Sequence, residues 1–552
     1  MNRFSNSERQ PEDEDQASRY IAPADRSETA PIYSPEKLRL SSAQFLTPEA
    51  DTSPRLAPYL LLFFLLAVFG CIVRFVRLES LPPGVFVDEQ AAMANALCII
   101  RNGTSLYHKP YPVYFTALGG FYDPIFIYSE VFFAKVFGAS IASFRIFPSL
   151  CLLGACFGTA ALAACFFGVD VALFAALTAL FCPWSFHAGR LVWGSGVFPV
   201  FLTWGLYCLW RTRRAESEAG RPYLWAVSAG LLFACAMSLY RPANAVVLLL
   251  LFTLFVCRTS ALAIRIRYLL SALGTIVICG IPNFLFVSGN GWGRIDSLSI
   301  FGKDHMAQLG GSYGRAVQEV LANYRLFLSW NFLFSAGDNI YRHTPAWGAL
   351  GWPEAVGLFV TAALVIYQYL PAQKNPALTK KELSLIAFCC VGVIVGLFPA
   401  CQSWDSNPHA LRANGAWPFF VLLASVGLAK LFRGLRLGPM CVSLVFLIYI
   451  PVFLSHYFFT FPALAAPWFD EGLARTAKSA ASSGDWSQFA SIVKDYGRDG
   501  PSIFPMLYKG LDCNAALSFV DDLHPHAPRY TGVTIDYGVQ AQPAPGAPSI
   551  AP

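Results

Sequence analysis

Charged side chains are scarce in this sequence. Aspartate, glutamate, lysine and arginine make up 13% of the 552 residues, whereas 55% are hydrophobic. In soluble domains about a quarter of the residues are charged, so this composition excludes an ordinary soluble protein. The net charge of +6 is small and the basic residues are scattered. No basic array interleaved with aromatic residues indicates nucleic-acid binding.

The sequence also lacks the spacings that hold metal ions. None of the fifteen cysteines forms a CxxC pair, and no HExxH motif is present. Most cysteines lie in apolar runs such as CLLGACFGTAALAACFF, where they are small packing residues. Only Cys98, Cys401 and Cys513 fall in predicted loops, which leaves room for one disulfide. These spacings assign no metal site.

Long apolar runs, by contrast, recur along most of the chain. A hydrocarbon core of roughly 30 Å needs about 20 apolar residues in a helix, so the runs predict an all-α polytopic membrane protein. We place eleven transmembrane helices at residues 57–77, 146–167, 171–187, 196–210, 223–240, 243–257, 268–288, 350–370, 384–400, 415–432 and 440–456.

The distribution of lysine and arginine predicts which side each loop faces. Positive charge is concentrated in the connections 211–222, 258–267, 371–381 and 430–436. Short loops rich in these residues stay in the cytoplasm. The amino terminus is then cytoplasmic, and the outer segments are 78–145, 289–349 and 457–552.

One apolar stretch, residues 123–138, is not counted as a crossing. It carries Glu130 and Lys135 in mid-run, and each costs about 2.5–3.5 kcal/mol at a bilayer centre. A crossing here would also reverse the side predicted for every later loop. We expect an interfacial or re-entrant helix within the first outer loop.

The two ends of the chain are polar. Residues 1–56 are poor in large apolar groups and predict a disordered cytoplasmic tail. They lack the apolar core of a cleavable signal peptide, so the first span is expected to remain as an anchor. Residues 461–530 predict a small extracytoplasmic region with short helices, and 531–552 a Pro/Ala-rich tail.

An acidic pair, Asp88 and Glu89, follows the first span. Asp88 is expected to be the N-cap of a helix from Glu89 to Arg101 that ends at Asn102-Gly103. For an isolated aspartate, capping is the commoner role. An N-cap carboxylate is also rigid and partly desolvated, and an ionisable group at a membrane boundary is a functional candidate.

Four motifs in order resemble the C-type glycosyltransferases, which use polyprenyl-phosphate sugars and include the protein O-mannosyltransferases and the bacterial aminoarabinose transferase. The resemblance covers roughly residues 57 to 460 and is carried by PPGVFVDEQAAMANALCIIRNG, YDPIFIYSEVFFAKVFGASIASFRIFPSLCLLG, FSAGDNIYRHTPAWGALG and SNPHALRANGAWPFFVLLASVGLAKLF.

The resemblance implies an inverting transfer of a sugar from a polyprenyl phosphate to a hydroxyl on the outer face of the plasma (inner) membrane. Asp88 would be the general base, a contribution of about 10²–10⁴-fold. Glu89 would support it by orientation or by binding a divalent cation. The acceptor could be a lipid, a glycan or a protein, and the sequence selects neither acceptor nor sugar.

The leaving phosphate needs cations at the membrane face, because guanidinium forks bind its oxygens bidentately. Interfacial arginines more often snorkel to lipid headgroups. The candidates in or beside outer loops are Arg145, Arg190, Arg241, Arg342 and Arg412, of which Arg145, Arg342 and Arg412 lie in the motifs.

Asp338, His343 and His409 are candidate contacts to the donor or the acceptor, although a lone loop histidine is more often a hydrogen-bonding or capping residue. His187 and Asp405 are weaker candidates. Many members of the superfamily carry a second acid in the outer loop after the third span. Here that loop reads HAGRLVWGSGVFP, which weakens the case for a two-carboxylate metal site.

Two other functions are compatible with a polytopic chain. A secondary transporter would place charged groups inside the spans, often with inverted repeats. Acids are almost absent from the apolar runs and no repeat is visible, which favours the transferase. A lipid-binding scaffold without catalysis would explain the chain if Asp88 is only a cap.

The predicted orientation can be tested with reporter fusions. Alkaline phosphatase fused after His108 should be active, and green fluorescent protein fused after Asn375 should fluoresce, because basic loops stay inside. Placement of residues 80–110 in the cytosol would remove the lipid-linked donor from the reach of Asp88 and contradict the predicted chemistry.

Overall fold

The structure is a computed structural model. It describes residues 53–523, apart from 119, 218–219, 258, 260–261, 291–296, 339, 371–375 and 494–498. Most of the predicted amino-terminal tail and all of the Pro/Ala-rich tail therefore lie outside the described residues.

Helices dominate the described chain. In order they are α1 (Ser53–Val73), α2 (Val87–Asn102), α3 (Pro124–Phe137), α4 (Ile141–Phe167), α5 (Val169–Phe181), α6 (Pro183–Ala188), α7 (Gly194–Ser217), α8 (Pro222–Leu239), α9 (Ala243–Val256), α10 (Ile266–Asn290), α11 (Lys303–Gln308), α12 (Tyr313–Phe327), α13 (Trp352–Gln368), α14 (Lys380–Cys401), α15 (Trp417–Gly434), α16 (Gly438–Ser455), α17 (Phe461–Ala465), α18 (Glu471–Ser483), α19 (Ser487–Val493), α20 (Ile503–Lys509) and α21 (Cys513–Leu523).

Each of the eleven predicted spans coincides with a helix. Seven described helical segments are long and apolar enough to cross a membrane, and α5, α9 and α13 are shorter apolar helices. The chain is therefore a polytopic helical membrane protein, while the count of eleven crossings stays a prediction. The expected all-α class has one small exception, an antiparallel hairpin of β1 (Phe115–Ala117) and β2 (Gly120–Tyr122).

The stretch not counted as a crossing forms helix α3. Asp123 caps it by accepting a hydrogen bond from the Ile125 N–H at 2.8 Å, and Gly138 ends it with a φ of 82°. Its 14 residues span only about 21 Å, which is short for the hydrocarbon core. The helix is confirmed, and its interfacial placement stays a prediction.

Helix α15 lies at the centre of the packed helices. Of its apolar window 78% is buried, against 17% for α1. It packs against α13, α5, α14 and α16. At its crossing with α13, a Cβ added to Gly357 would lie 2.1 Å from the Ala424 carbonyl oxygen, and one added to Gly427 2.0 Å from the Gly357 oxygen. Small residues here let the two backbones approach closely.

Ion pairs link the helix ends that carry the basic connections. Arg265 pairs with Glu216 at 2.8 Å, Lys430 with Glu382 at 2.8 Å, and Arg433 with Asp170 at 2.5 Å. All six residues lie in or next to segments predicted to be cytoplasmic. The contacts therefore bring together the loops that the charge pattern assigns to one side.

The carboxyl-terminal region is joined to the first outer loop by a disulfide between Cys98 of α2 and Cys513 of α21. Arg101 adds hydrogen bonds to the carbonyl oxygens of Met506, at 2.8 Å, and Leu511. Cys401, the third loop cysteine, is buried and free. Since disulfides persist in oxidising compartments, the bond agrees with the predicted outer location of both segments.

The disulfide can be checked directly. Proteolysis of the purified protein without reductant, followed by mass spectrometry, should yield one cross-linked peptide containing Cys98 and Cys513, which separates on reduction. Both cysteines alkylated in the native membrane before reduction would contradict the bond and weaken the predicted orientation.

Candidate active site

Four predicted outer loops meet at the amino-terminal end of helix α2, and three of them carry motifs of the resemblance. The Phe86 ring stacks on Trp193 with a centroid distance of 6.1 Å. The Trp193 ring in turn lies edge-on to the imidazoles of His343 and His409, at 6.3 and 6.4 Å. These rings connect the first outer loop (78–145), the loop after the third predicted span (188–195), the central loop (289–349) and the late loop (401–414).

The structure corrects the predicted start of α2. The helix begins at Val87 with Phe86 as N-cap, so Asp88 is not the cap. Glu89, at the third helical position, accepts a hydrogen bond from the Phe86 N–H at 3.1 Å. This is the carboxylate half of a capping box, and it makes a capping aspartate unnecessary. The end at Asn102-Gly103 is confirmed, with Gly103 at a φ of 67°.

Asp88 therefore does not cap the helix. Its side chain is half-buried, and Tyr122 of β2 donates a long hydrogen bond of 3.4 Å to its Oδ1. At the second position of α2, the carboxylate also lies at the positive end of the helix dipole. This environment leaves the Asp88 carboxylate partly accessible and in contact with Tyr122.

Glu89 has a different environment. It is 1% exposed, and its other oxygen accepts the Val192 N–H at 2.8 Å. Burial raises the pKa of Glu89, while Arg145 and the two N–H donors oppose the rise. Both oxygens are used for backbone contacts, which fits the orienting part of its predicted role better than cation binding.

Asp338 joins the central loop to the late loop. Its Oδ2 accepts hydrogen bonds from His343 Nδ1 at 2.8 Å and from the Ala410 N–H at 3.1 Å, and its Oδ1 accepts the Ile340 N–H at 2.8 Å. The imidazoles of His343 and His409 stack face to face, with centroids 3.6 Å apart. Asp338, His343 and His409 are all buried.

The same three side chains offer ligand atoms within 4.8 Å of one another. A histidine nitrogen binds a metal in the plane of its ring, and two stacked, nearly parallel rings do not direct their lone pairs at one point. The Asp338 carboxylate already accepts three N–H groups. One ring would have to turn before this cluster could surround a tetrahedral ion.

Two of the five candidate arginines bind backbone. Arg145 is fully buried and donates to the carbonyl oxygens of Leu78, Pro82 and Gly84 at 3.0, 2.9 and 2.7 Å. Arg190 is 1% exposed, donates to those of Val73, Val76 and Leu81 at 3.0, 2.8 and 3.4 Å, and packs its guanidinium on aromatic rings.

The expectation that Arg145 and Arg190 bind phosphate is therefore corrected. Their guanidinium groups hold the end of α1 and the turn before α2, because buried carbonyl groups need donors. Arg74, which sequence reasoning missed, does the same at the end of α5, where it donates to the Ala179 and Leu180 oxygens at 2.9 Å.

Arg342 remains as the arginine beside Asp88. Its guanidinium lies 3.7 Å from the centroid of the Phe86 ring. Among the described residues, its Nε–H has no hydrogen-bond partner and no ion pair holds it. Burial lowers the pKa of Arg342, and the charge of Asp88 is the strongest opposing influence. His187 holds the backbone of Arg342, because His187 Nε2 lies 2.9 Å from the Arg342 carbonyl oxygen.

The other two arginines are less available or lie elsewhere. Arg412 forms a two-point ion pair with Asp405, at 2.5 and 3.1 Å. Arg241 lies 5.8 Å from the Phe121 ring of β2, and its charge acts on Asp123. Sequence reasoning missed Tyr122 and Trp193. Trp193 stands in the loop where an acid was sought, and a large aromatic residue there was the available signal.

The division of the arginines predicts different mutant stabilities. Arg145→Gln should lower the free energy of unfolding by about 3 kcal/mol or more, because three buried carbonyl groups lose their donors. Arg342→Gln should cost no more than about 1 kcal/mol, the size of its contact with Phe86. The thermal unfolding midpoints of the two purified variants would test this. Equal losses would contradict the division.

No protein-family model matches the chain, and no curated protein matches it. Among solved structures, it is similar to ArnT from Cupriavidus metallidurans bound to undecaprenyl phosphate, with 14% identity, coverage of 86% of this chain and 89% of that chain, and a TM-score of 0.47. It is also similar to the Archaeoglobus fulgidus oligosaccharyltransferase in complex with Zn and sulfate, with 14% identity, coverage of 75% of this chain and a TM-score of 0.43.

A second structure of the archaeal enzyme, AglB in complex with an inhibitory peptide and a dolichol-phosphate, matches with 12% identity over 75% of this chain and 58% of that chain, at a TM-score of 0.43. The chain spans only 55% of the oligosaccharyltransferase bound to Zn and sulfate. At these sequence identities and TM-scores, the similar structures say nothing about function, which rests on the chain's own residues.

Proposed function

We propose that this chain is an integral-membrane glycosyltransferase that moves a sugar from a polyprenyl phosphate to an acceptor hydroxyl on the extracytoplasmic face. The observation that carries the proposal is that Asp88 and Arg342 lie close enough for the charge of Asp88 to oppose the lowering of the pKa of Arg342 by burial. The first is an accessible carboxylate and the second a guanidinium without an ion-pair partner among the described residues. They lie together where the four predicted outer loops meet.

Asp88 is the proposed general base. The acceptor oxygen attacks the anomeric carbon of the donor sugar while its proton passes to the Asp88 carboxylate. The bond from the anomeric carbon to the phosphate oxygen breaks, and the electron pair leaves with the lipid phosphate. A single displacement of this kind inverts the anomeric configuration. Tyr122 supports the geometry through its hydrogen bond to Asp88 Oδ1.

Arg342 is the proposed partner of the donor phosphate. A lipid phosphate is already a good leaving group, so it needs positive charge and N–H donors rather than a strong acid. Arg342 has an N–H group without a partner in the described residues. The forked donors of Arg412 are occupied by Asp405, which makes it a weaker candidate. Arg241 remains a candidate at the hairpin.

The proposed orientation has two supports within the chain. Ion pairs join the basic connection 211–222 to 258–267 and the connection 430–436 to Glu382, which lies next to 371–381, and the disulfide joins α2 to the carboxyl-terminal region. A site on the outer face needs a donor that crosses the membrane with a lipid, because nucleotide sugars stay in the cytoplasm. The transporter alternative has no such support, since the two groups that form the site lie outside the predicted spans.

The decisive variant is Asp88→Asn. It keeps the size of the side chain and removes the base, so we expect transfer to fall by about 10²–10⁴-fold with normal membrane insertion. The measurement is mass spectrometry of envelope glycolipids and glycans from cells that lack the protein and are complemented with each variant.

Asp522→Asn is the matched control, because Asp522 is an exposed acid of α21. This variant should restore the wild-type profile. Full restoration by Asp88→Asn would support the scaffold alternative. A profile that does not change when the protein is absent would count against the transferase itself.

A further inference from the structure

The tautomer of His343 follows from its partner. An ionised carboxylate only accepts hydrogen bonds, so Nδ1 of His343, which lies 2.8 Å from Asp338 Oδ2, must carry the proton. In the neutral ring Nε2 then presents a lone pair. Asp338 is itself held by the N–H groups of Ile340 and Ala410, so this tautomer is built into the junction of the two loops.

The charges around His343 favour the neutral ring. Burial lowers the pKa of His343, and the positive charges of Arg342 and Arg412 lower it further, against the opposing influence of Asp338. His409, stacked on its face, also has a lowered pKa, chiefly through burial. A positive charge on either imidazole is therefore disfavoured.

The lone pair of His343 has no donor. His343 is 1% exposed, and its Nε2 has no hydrogen-bond partner among the described residues. A buried acceptor without a donor is costly, and stacking on His409 with Trp193 at the edge keeps the ring from turning freely. A molecule that donates a hydrogen bond to Nε2 would satisfy this acceptor.

A cation fits this position less well than a hydroxyl group. The guanidinium of Arg342, which has no ion-pair partner among the described residues, belongs to the residue just before His343, and the stacked rings do not converge on one point. A phosphodiester has no proton to donate, so the phosphate group does not satisfy Nε2. A sugar hydroxyl does.

We propose that His343 Nε2 accepts a hydrogen bond from a hydroxyl of the donor sugar and thereby selects for that hydroxyl. This inference rests on the proposed function, in which Arg342 binds the phosphate to which the sugar is attached. Asp338 is a positioning residue that fixes the accepting tautomer. His409 and Trp193 hold the plane of the ring.

The test uses the full chain purified into lipid nanodiscs and short-chain polyprenyl phosphates of the sugar identified by the glycan analysis. Each hydroxyl of the sugar is replaced in turn by hydrogen and by fluorine, and kcat/KM is measured. At one position both replacements should lower kcat/KM by about 10–100-fold, because fluorine cannot donate to a lone pair.

Two variants of His343 form the matched pair. His343→Asn keeps an N–H group for Asp338 and deletes the Nε2 acceptor, so its preference for the hydroxyl should fall to about 1–3-fold. His343→Gln carries an oxygen near the Nε2 position and should keep part of the preference. The inductive effect of fluorine on the chemical step is common to all the enzymes and cancels in these ratios.

Three outcomes would overturn the inference while leaving the transferase in place. In the first outcome, the wild-type enzyme has the same kcat/KM for every deoxy donor as for the natural donor. In the second, replacing a hydroxyl lowers kcat/KM equally in the wild type and in His343→Asn. The third is one zinc ion per chain after incubation with zinc chloride, lost in His343→Asn, because a metal would occupy Nε2. No transfer from any polyprenyl-phosphate sugar would instead refute the proposed function, and the inference with it.

Discussion

The site depends on buried arginines that hold backbone carbonyl groups. The turn between α1 and α2 leaves the helical hydrogen-bond pattern inside packed protein, where unpaired carbonyl oxygens are costly. Arg145 and Arg190 donate to six of these oxygens, three each. A guanidinium group suits this task because it offers five donors in one plane. The direction of α2, and with it the position of Asp88, follows from these contacts.

The groups around this junction divide by hydrogen bonding into those that hold the backbone or a neighbouring loop and those that have few partners among the described residues. Glu89 and Asp88 are neighbours in sequence, but the first uses both oxygens on backbone N–H groups and the second is half-buried and accepts a long hydrogen bond from Tyr122. The same division separates Arg145 from Arg342, and the Nδ1 of His343 from its Nε2. The proposed chemistry uses only the second member of each pair.

Much of the fold was predictable, because a membrane span is a local property of about 20 residues. Every predicted span falls on a helix, and helix α3 forms where it was expected. The sequence left room for one disulfide among three loop cysteines but predicted neither the bond nor the pair, which the structure gives as Cys98 and Cys513. The predicted N-cap of α2 was wrong because Glu89, and not Asp88, accepts the hydrogen bond from the backbone N–H at the start of the helix. Glu89 is buried there and accepts a second hydrogen bond from the Val192 N–H.

The sequence by itself determined that the chain is a polytopic membrane protein and which loops hold the candidate side chains, because hydropathy and charge act over short stretches. Only the tertiary structure decided which arginines are free, which acid is buried and which tautomer His343 adopts. Those properties depend on partners far away in the sequence, such as Val192, 103 residues from Glu89, and Ala410, 72 residues from Asp338. A hydrogen bond is made with whatever group lies within about 3 Å, and no local pattern contains that distance.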